Sequence, residues 1–238
     1  MYNDRNIMKK FFFIVTISSI LGIGCILIGF SYLKNIVFHG FTIVGICVLL
    51  GVTVKIMDQL IDEIKIKSYK LWIVPLAIFI PASMAYLALT EEPVIGMVLG
   101  TVIGILIAGK LDHPAYVISV ILFISLVSIA FVLRVIDIQG STFYIIPVAA
   151  TGSFLDEFGH ERYKSNKKSV TFIFKHRFFL KAFAFFGVIF GFAQPIHFIG
   201  FLCFDIFYDL VGTASQYDVI NQKSIQNNSS HTGFNRAD

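Results

Sequence analysis

A chain of 238 residues that is 56% hydrophobic and 14% charged, with a mean hydropathy of +0.80, lies far from the roughly 25% charge of a soluble domain. A soluble globular enzyme is excluded, and an integral membrane protein is implied. The formal net charge of +4 does not point to nucleic acid, because the Lys and Arg residues flank apolar runs and form no separate hydrophilic domain.

Apolar runs of about 17 to 25 residues recur with short charged breaks, the length a helix needs to cross a hydrocarbon core of roughly 30 Å. Nothing in them alternates with period two, so helices are expected and a barrel is not. The predicted fold is all-α, a polytopic transmembrane bundle of about eight helices. Residues 1–10 form a cytoplasmic N-terminus, 11–212 the transmembrane domain and 213–238 a disordered polar tail.

The polar opening ends in Lys9-Lys10, and the run from Phe11 to about Leu33 follows. It is long for a signal peptide and has no small-residue cleavage site, so it reads as a first membrane helix. Gly22-Ile23-Gly24-Cys25 lacks the Leu of a lipoprotein cleavage box. After a turn at Lys34-Asn35, a second helix runs from Ile36 to Met57 and into Lys55-Ile56-Met57-Asp58-Gln59-Leu60-Ile61-Asp62-Glu63. Lys65, Lys67 and Lys70 come next, with Tyr69 and Trp72 placed for an interfacial aromatic belt.

A third helix, about Leu71 to Leu89, reaches Glu91-Glu92-Pro93, and a fourth runs from about Val94 to Ala108. Gly96, Gly100 and Gly104 share one face of the fourth, the spacing that lets two helices approach closely. In Gly109-Lys110-Leu111-Asp112-His113-Pro114, Asp112 and His113 stand where a helix cap precedes a proline at the helix start. The fifth helix spans about Ala115 to Ile136. The sixth runs from about Thr142 into Asp156-Glu157-Phe158-Gly159-His160-Glu161-Arg162.

The hydrophilic break from Gly159 to Lys175 holds Arg162, Lys164, Lys167 and Lys168. Phe178 to Gly212 is aromatic-rich and divided at Gln194-Pro195 into two short helices or one kinked helix. The tail from Thr213 to Asp238 lacks apolar periodicity and is expected to be disordered. Cys25, Cys47 and Cys203 each stand alone in an apolar segment, which predicts buried thiols without disulfides.

Lys and Arg concentrate in the loops after the second, fourth and sixth helices, so the positive-inside rule puts that side in the cytoplasm. Asp58, Asp62, Asp112, Asp156, His160, Asp205 and Asp209 then fall near one boundary. Residues four apart share a helix face, which aligns Asp58 with Asp62, Asp156 with His160, and Asp205 with Asp209. Lys55, one turn before Asp58, is placed to pair with it. His197, just after Pro195, reads as hydrogen-bonded within a turn. Hard cations such as Mg²⁺ bind carboxylate oxygens together with substrate phosphate oxygens. Two carboxylate clusters with nearby Lys and Arg therefore suit a metal-bridged diphosphate whose hydrocarbon tail lies between the helices.

Asp58-x-x-x-Asp62 after the second helix and Asp156-Glu157-Phe158-Gly159-His160-Glu161-Arg162 after the sixth resemble the two Asp-rich motifs of the UbiA superfamily of intramembrane prenyltransferases. Val54 and Lys55 stand at the places of that family's first Asn and Asp, and His160 at the place of the last Asp. The resemblance spans roughly residues 11 to 175. It implies Mg²⁺ on Asp58, Asp62, Asp156 and His160, a prenyl diphosphate held by Lys110 and Arg162, and transfer of the prenyl group to an acceptor. Glu157, Glu161 and His160 are candidates for proton removal, with Asp112, Asp205 and Asp209 as secondary site residues. A different class, a cation transporter or channel with acidic groups lining the path, fits the same carboxylates. A non-catalytic membrane scaffold with interfacial charges is a third.

Overall fold

Proline and glycine set most helix boundaries. The computed structural model describes residues 16–17, 20–23, 36–62, 71–136, 140–162 and 177–232. Its helices are α1 (Ile36–Asp62), α2 (Ile73–Thr90), α3 (Glu92–Ile107), α4 (Pro114–Val132), α5 (Gly140–Arg162), α6 (Phe178–Ile189) and α7 (Pro195–Thr232). Residues 20–23 add a helical turn before α1, so an all-helical bundle of about eight helices is what the chain forms. Most of the expected first helix, Cys25, and the basic stretch Lys65 to Lys70 lie outside the described residues.

Pro93 and Pro114 sit in the first turns of α3 and α4, where a missing N–H costs no hydrogen bond. The expected cap before α4 is His113, whose side chain accepts the Ala115 N–H at 3.2 Å. The chain breaks at Gln194-Pro195 into two helices. α4 stops at Val132, four residues short of its predicted end, because Arg134 adopts a left-handed conformation (φ 56°) that closes the helix. The tail expected to be disordered from Thr213 instead continues α7 to Thr232. No Gly or Pro interrupts residues 213–232, and extending an existing helix avoids the cost of nucleating one.

α3 packs on α5, α1 on α7, and α2 on α4, while α2 also bridges α1 and α3, and α6 packs on α5. The α3–α5 contact uses the glycine stripe: a Cβ on Gly100 would stand 2.4 Å from the Ile146 carbonyl, and one on Gly104 2.5 Å from that of Ala150. At the α1–α7 crossing, a Cβ on Gly51 would meet the Phe204 carbonyl at 2.2 Å. Two buried cores follow, one around Ile43, Leu50, Met57 and Ile80, the other around Ala88, Ile95, Phe123 and Val127.

Among the described residues, four helical stretches are long and apolar enough to cross a membrane: His39–Ile61, Ile73–Thr90, Pro114–Val132 and Pro195–Ala214. Ile118, Ile121, Ile129 and Val132 along α4 are exposed. A continuous apolar face of that kind calls for an apolar surrounding.

Candidate functional site

At one end of the bundle, the last turns of α1 and α5, the first turns of α4 and α6, and the middle of α7 bring charged side chains together. Asp58 is the hub. Its Oδ2 meets Lys55 Nζ at 2.6 Å and accepts the Tyr208 hydroxyl at 3.2 Å, while its Oδ1 accepts the Tyr116 hydroxyl at 3.0 Å. The i, i+3 spacing of Lys55 and Asp58 produces the pairing expected of it.

The Tyr208 ring also carries two cations, Lys55 Nζ at 4.8 Å and the Arg177 guanidinium at 4.9 Å from its centre. Such stacking is worth about 0.5 to 2 kcal/mol, with the larger value for desolvated groups. Arg177 precedes α6 in a left-handed conformation (φ 47°), uncommon for a residue with a side chain. Its ion pair with Glu157 (3.4 Å) and its contact with Tyr208 hold it there. One turn further, Lys181 Nζ lies 2.5 Å from Asp205 Oδ2. Asp156 takes a different part: its two oxygens accept the N–H groups of Phe179 (3.0 Å) and Leu180 (2.8 Å), capping α6.

Asp58, Asp156, Glu157 and Asp205 therefore belong to one assembly, joined through Tyr208, Arg177 and Lys181. Lys110 and the exposed Asp112 lie between α3 and α4, on the loop that leads to Tyr116. Asp209 is half-buried on α7. Asp62, His160, Glu161 and Arg162 are placed by their helix backbones, and their side chains lie outside the described residues. Of the four residues expected to hold Mg²⁺, Asp58 and Asp156 have described side chains, whereas those of Asp62 and His160 are outside the described set. Asp58 is engaged by one cation and two hydroxyls, Asp156 by two backbone N–H groups, and Glu157 and Asp205 each by an ion pair. No group of three His, Cys, Asp or Glu among the described residues converges as a metal site.

Between the helices lies an apolar chamber of about 160 Å³ that is open along part of its wall. Ile43 and Cys47 of α1, Met84 and Leu87 of α2, and Phe183 and Phe201 from α6 and α7 contribute to its wall. Leu180 and Phe204 also line it, and their chain neighbours Lys181 and Asp205 belong to the charged assembly. Phe204 stacks on Tyr208 with ring centres 6.2 Å apart, so one aromatic layer separates chamber from charges. Cys47 and Cys203 are half-buried thiols in no disulfide among the described residues.

His197 lines the chamber as well and belongs to a second polar group at the opposite end of the bundle. Glu91, between α2 and α3, is held by His197 Nε2 (2.7 Å) and His39 Nε2 (2.5 Å). Burial pushes its carboxyl upward, but the hydrogen bonds and charges of His197 and His39 outweigh burial and hold it below the usual carboxylate range. His197 Nδ1 accepts the Gln194 N–H at 3.0 Å, the turn role expected for it. The adjacent Glu92 bonds the Thr142 hydroxyl.

Sequence reasoning missed Tyr116, Arg177, Tyr208, Lys181 and the Glu91–histidine group. A signal existed for Tyr208, which lies between the candidates Asp205 and Asp209, and for Lys181, an ionisable group in an otherwise apolar run and so a functional suspect. Comparison with protein families, characterised proteins and solved structures finds no match to this chain.

Proposed function

We propose that the protein is an intramembrane prenyltransferase that binds a prenyl diphosphate with its apolar chain in the chamber and its diphosphate at the charged assembly. The observation that carries this reading is the adjacency of the two, with one aromatic layer between them. Leu180 and Phe204 line the chamber, while Lys181 and Asp205, next to them in the chain, belong to the charged end.

In the transfer, the allylic carbon–oxygen bond breaks and diphosphate leaves with the electron pair. The acceptor then bonds to the allylic carbon and gives up a proton to a base. Lys55, Arg177 and Lys181 are the groups that neutralise the departing diphosphate, and preorganised cations in a water-poor site are effective at this. Phe183, Phe201 and Phe204 line the chamber, and aromatic rings there favour an allylic cation. The assembly sets three cations against four carboxylates, Asp58, Asp156, Glu157 and Asp205. Extra positive charge is therefore needed when a diphosphate enters, which Mg²⁺ bound to the diphosphate oxygens would supply. Lys110 and Arg162 stand at the same end. By the positive-inside count this end faces the cytoplasm.

The test is release of diphosphate from labelled prenyl diphosphates by the purified protein in lipid nanodiscs, with and without Mg²⁺. Release that falls at least about tenfold in Lys181→Met and in Arg177→Gln is expected. Absence of release at every chain length, together with cation flux in vesicles, replaces this reading with the transporter class.

A further inference from the structure

We infer that the chamber is a lipid site: the acyl chain of a bilayer phospholipid occupies it, entering sideways through the seam between α6 and α7. This does not rest on the function proposed above, and a prenyl chain that enters the chamber displaces the acyl chain.

The first argument is depth. Ile43, Cys47 and Leu50 of α1, Met84 and Leu87 of α2, and Phe201 of α7 line the chamber, and each lies inside a stretch long and apolar enough to cross a membrane. The wall is open in part, and an opening at this depth meets hydrocarbon, not water. Water in an apolar pocket lacks the polar partners that would hold it there. An empty space forfeits the dispersion contacts of its lining. A hydrocarbon chain supplies them.

The second argument is where the ring of helices is loosest. Around the chamber α1 packs on α2, α2 on α3, α3 on α5, α5 on α6, and α7 back on α1. Of these neighbours α6 and α7 pack most sparsely, with Phe185 and Phe198 bridging them at 5.4 Å between ring centres. Ala184 of α6 lines the chamber, and a Cβ on Gly187, one turn further along the same side, would meet nothing within 4 Å. Small side chains and open space thus lie together beside the seam.

The third argument is continuity with the surface that faces the bilayer. Ala184 of the wall is followed by Phe185 and Phe186, which are exposed, and Phe201 of the wall lies next to Gly200 and the exposed Ile199. No charged residue interrupts either stretch. Apolar surface therefore runs from the outside of α6 and α7 into the chamber, and an acyl chain can follow it without leaving apolar surroundings.

The experiment uses the purified protein in nanodiscs of phosphatidylcholine that carries a diazirine on one acyl chain, photolysed and mapped by mass spectrometry. Adducts are expected on Met84 and Met97, which line the chamber from α2 and α3, opposite the seam in the ring of helices. Ile118 and Ile121 on the exposed face of α4 report ordinary lipid contact. Ala184→Trp fills the chamber and should remove most adducts from Met84 and Met97 while leaving those on α4. Gly187→Phe places a ring in the open space at the seam and gives the same loss, which serves should Ala184→Trp fail to fold. Adducts on α4 with none on Met84 and Met97 overturn the lipid site. So do adducts on Met84 and Met97 that survive both variants, or labelling of these residues by a water-soluble diazirine in place of the lipid. Adducts lost in Ala184→Trp but retained in Gly187→Phe overturn the seam as the route and leave the occupant standing. No diphosphate is present in any arm, so failure here is distinct from failure of diphosphate release.

Discussion

The Leu180 N–H donates to Asp156 Oδ2 across 2.8 Å, joining the last turns of α5 to the first turn of α6. With the Phe179 N–H on the other oxygen, this carboxylate fixes where α6 begins and therefore where Arg177 and Lys181 stand. Asp156 is buried, so removing it leaves two N–H groups without acceptors. Asp156→Ala is expected to lower stability by about 1 to 3 kcal/mol, the cost of unsatisfied buried groups and a lost cap. Asp156→Asn, which retains one acceptor oxygen, should fall between. Unfolding of the detergent-solubilised protein measures this, and unchanged stability in both variants contradicts the capping role.

The α3–α5 contact leaves no room for a methyl group at Gly100, because its neighbours are the Ile146 carbonyl and the Ala149 Cβ. Neither can swing aside. Gly100→Ala is expected to cost about 1 to 3 kcal/mol through overpacking. Gly187 in α6 offers the contrast, since a Cβ there meets nothing within 4 Å. Gly187→Ala should gain about 0.5 to 1 kcal/mol from helix propensity. Thermal midpoints of the two variants moving in the same direction would sink the packing argument.

How much of this was legible in the sequence differs between fold and site. The helices, their proline and glycine boundaries, and the packing use of Gly96, Gly100 and Gly104 follow from local rules that hold wherever the chain lies. The pairing of Lys55 with Asp58 was legible for the same reason, being one turn long. The partners that define the site are not local. Tyr208 lies 150 residues from Asp58, and Arg177 lies 20 residues beyond Glu157 across the basic stretch. Nor does spacing reveal that Asp156 caps a helix, since that depends on where α6 starts. In the sequence Glu91 only follows the end of a helix, because only the crossing of α1 and α7 brings His39 and His197 to it.

Lys181 and Asp205 form an ion pair on the apolar side of the charged end, with Asp205 nearly enclosed and Lys181 partly open to solvent. Removing one partner of a fully buried pair costs roughly 3 to 5 kcal/mol because the other charge is stranded. Water access to Lys181 lowers the expectation for Asp205→Asn to about 2 kcal/mol. The double variant Lys181→Met with Asp205→Asn should recover most of that loss, since no charge is then stranded. A double-mutant cycle on unfolding reads the coupling directly, and additive losses would show the two residues to be energetically independent.

Glu91 gives the pH dependence. Its carboxyl titrates below the usual range because the hydrogen bonds from His197 and His39 prevail over burial. A group whose folded pKa is lowered adds stability above its unfolded value, and that stability is lost as pH falls through the folded one. The loss therefore occupies the acid side, below the ordinary Glu pKa of about 4.3, and is absent at neutral pH. The charged and titratable groups in contact with Glu91 are His39 from α1 and His197 from α7. Thermal midpoints of wild type and Glu91→Gln, followed from pH 7 to about pH 3, should differ above the ordinary Glu pKa of about 4.3 and converge as Glu91 takes up its proton. Taking the difference between the two proteins cancels every other carboxylate. A gap that stays constant over the whole range means that the ionised form of Glu91 does not hold α1, α7 and the α2–α3 junction together.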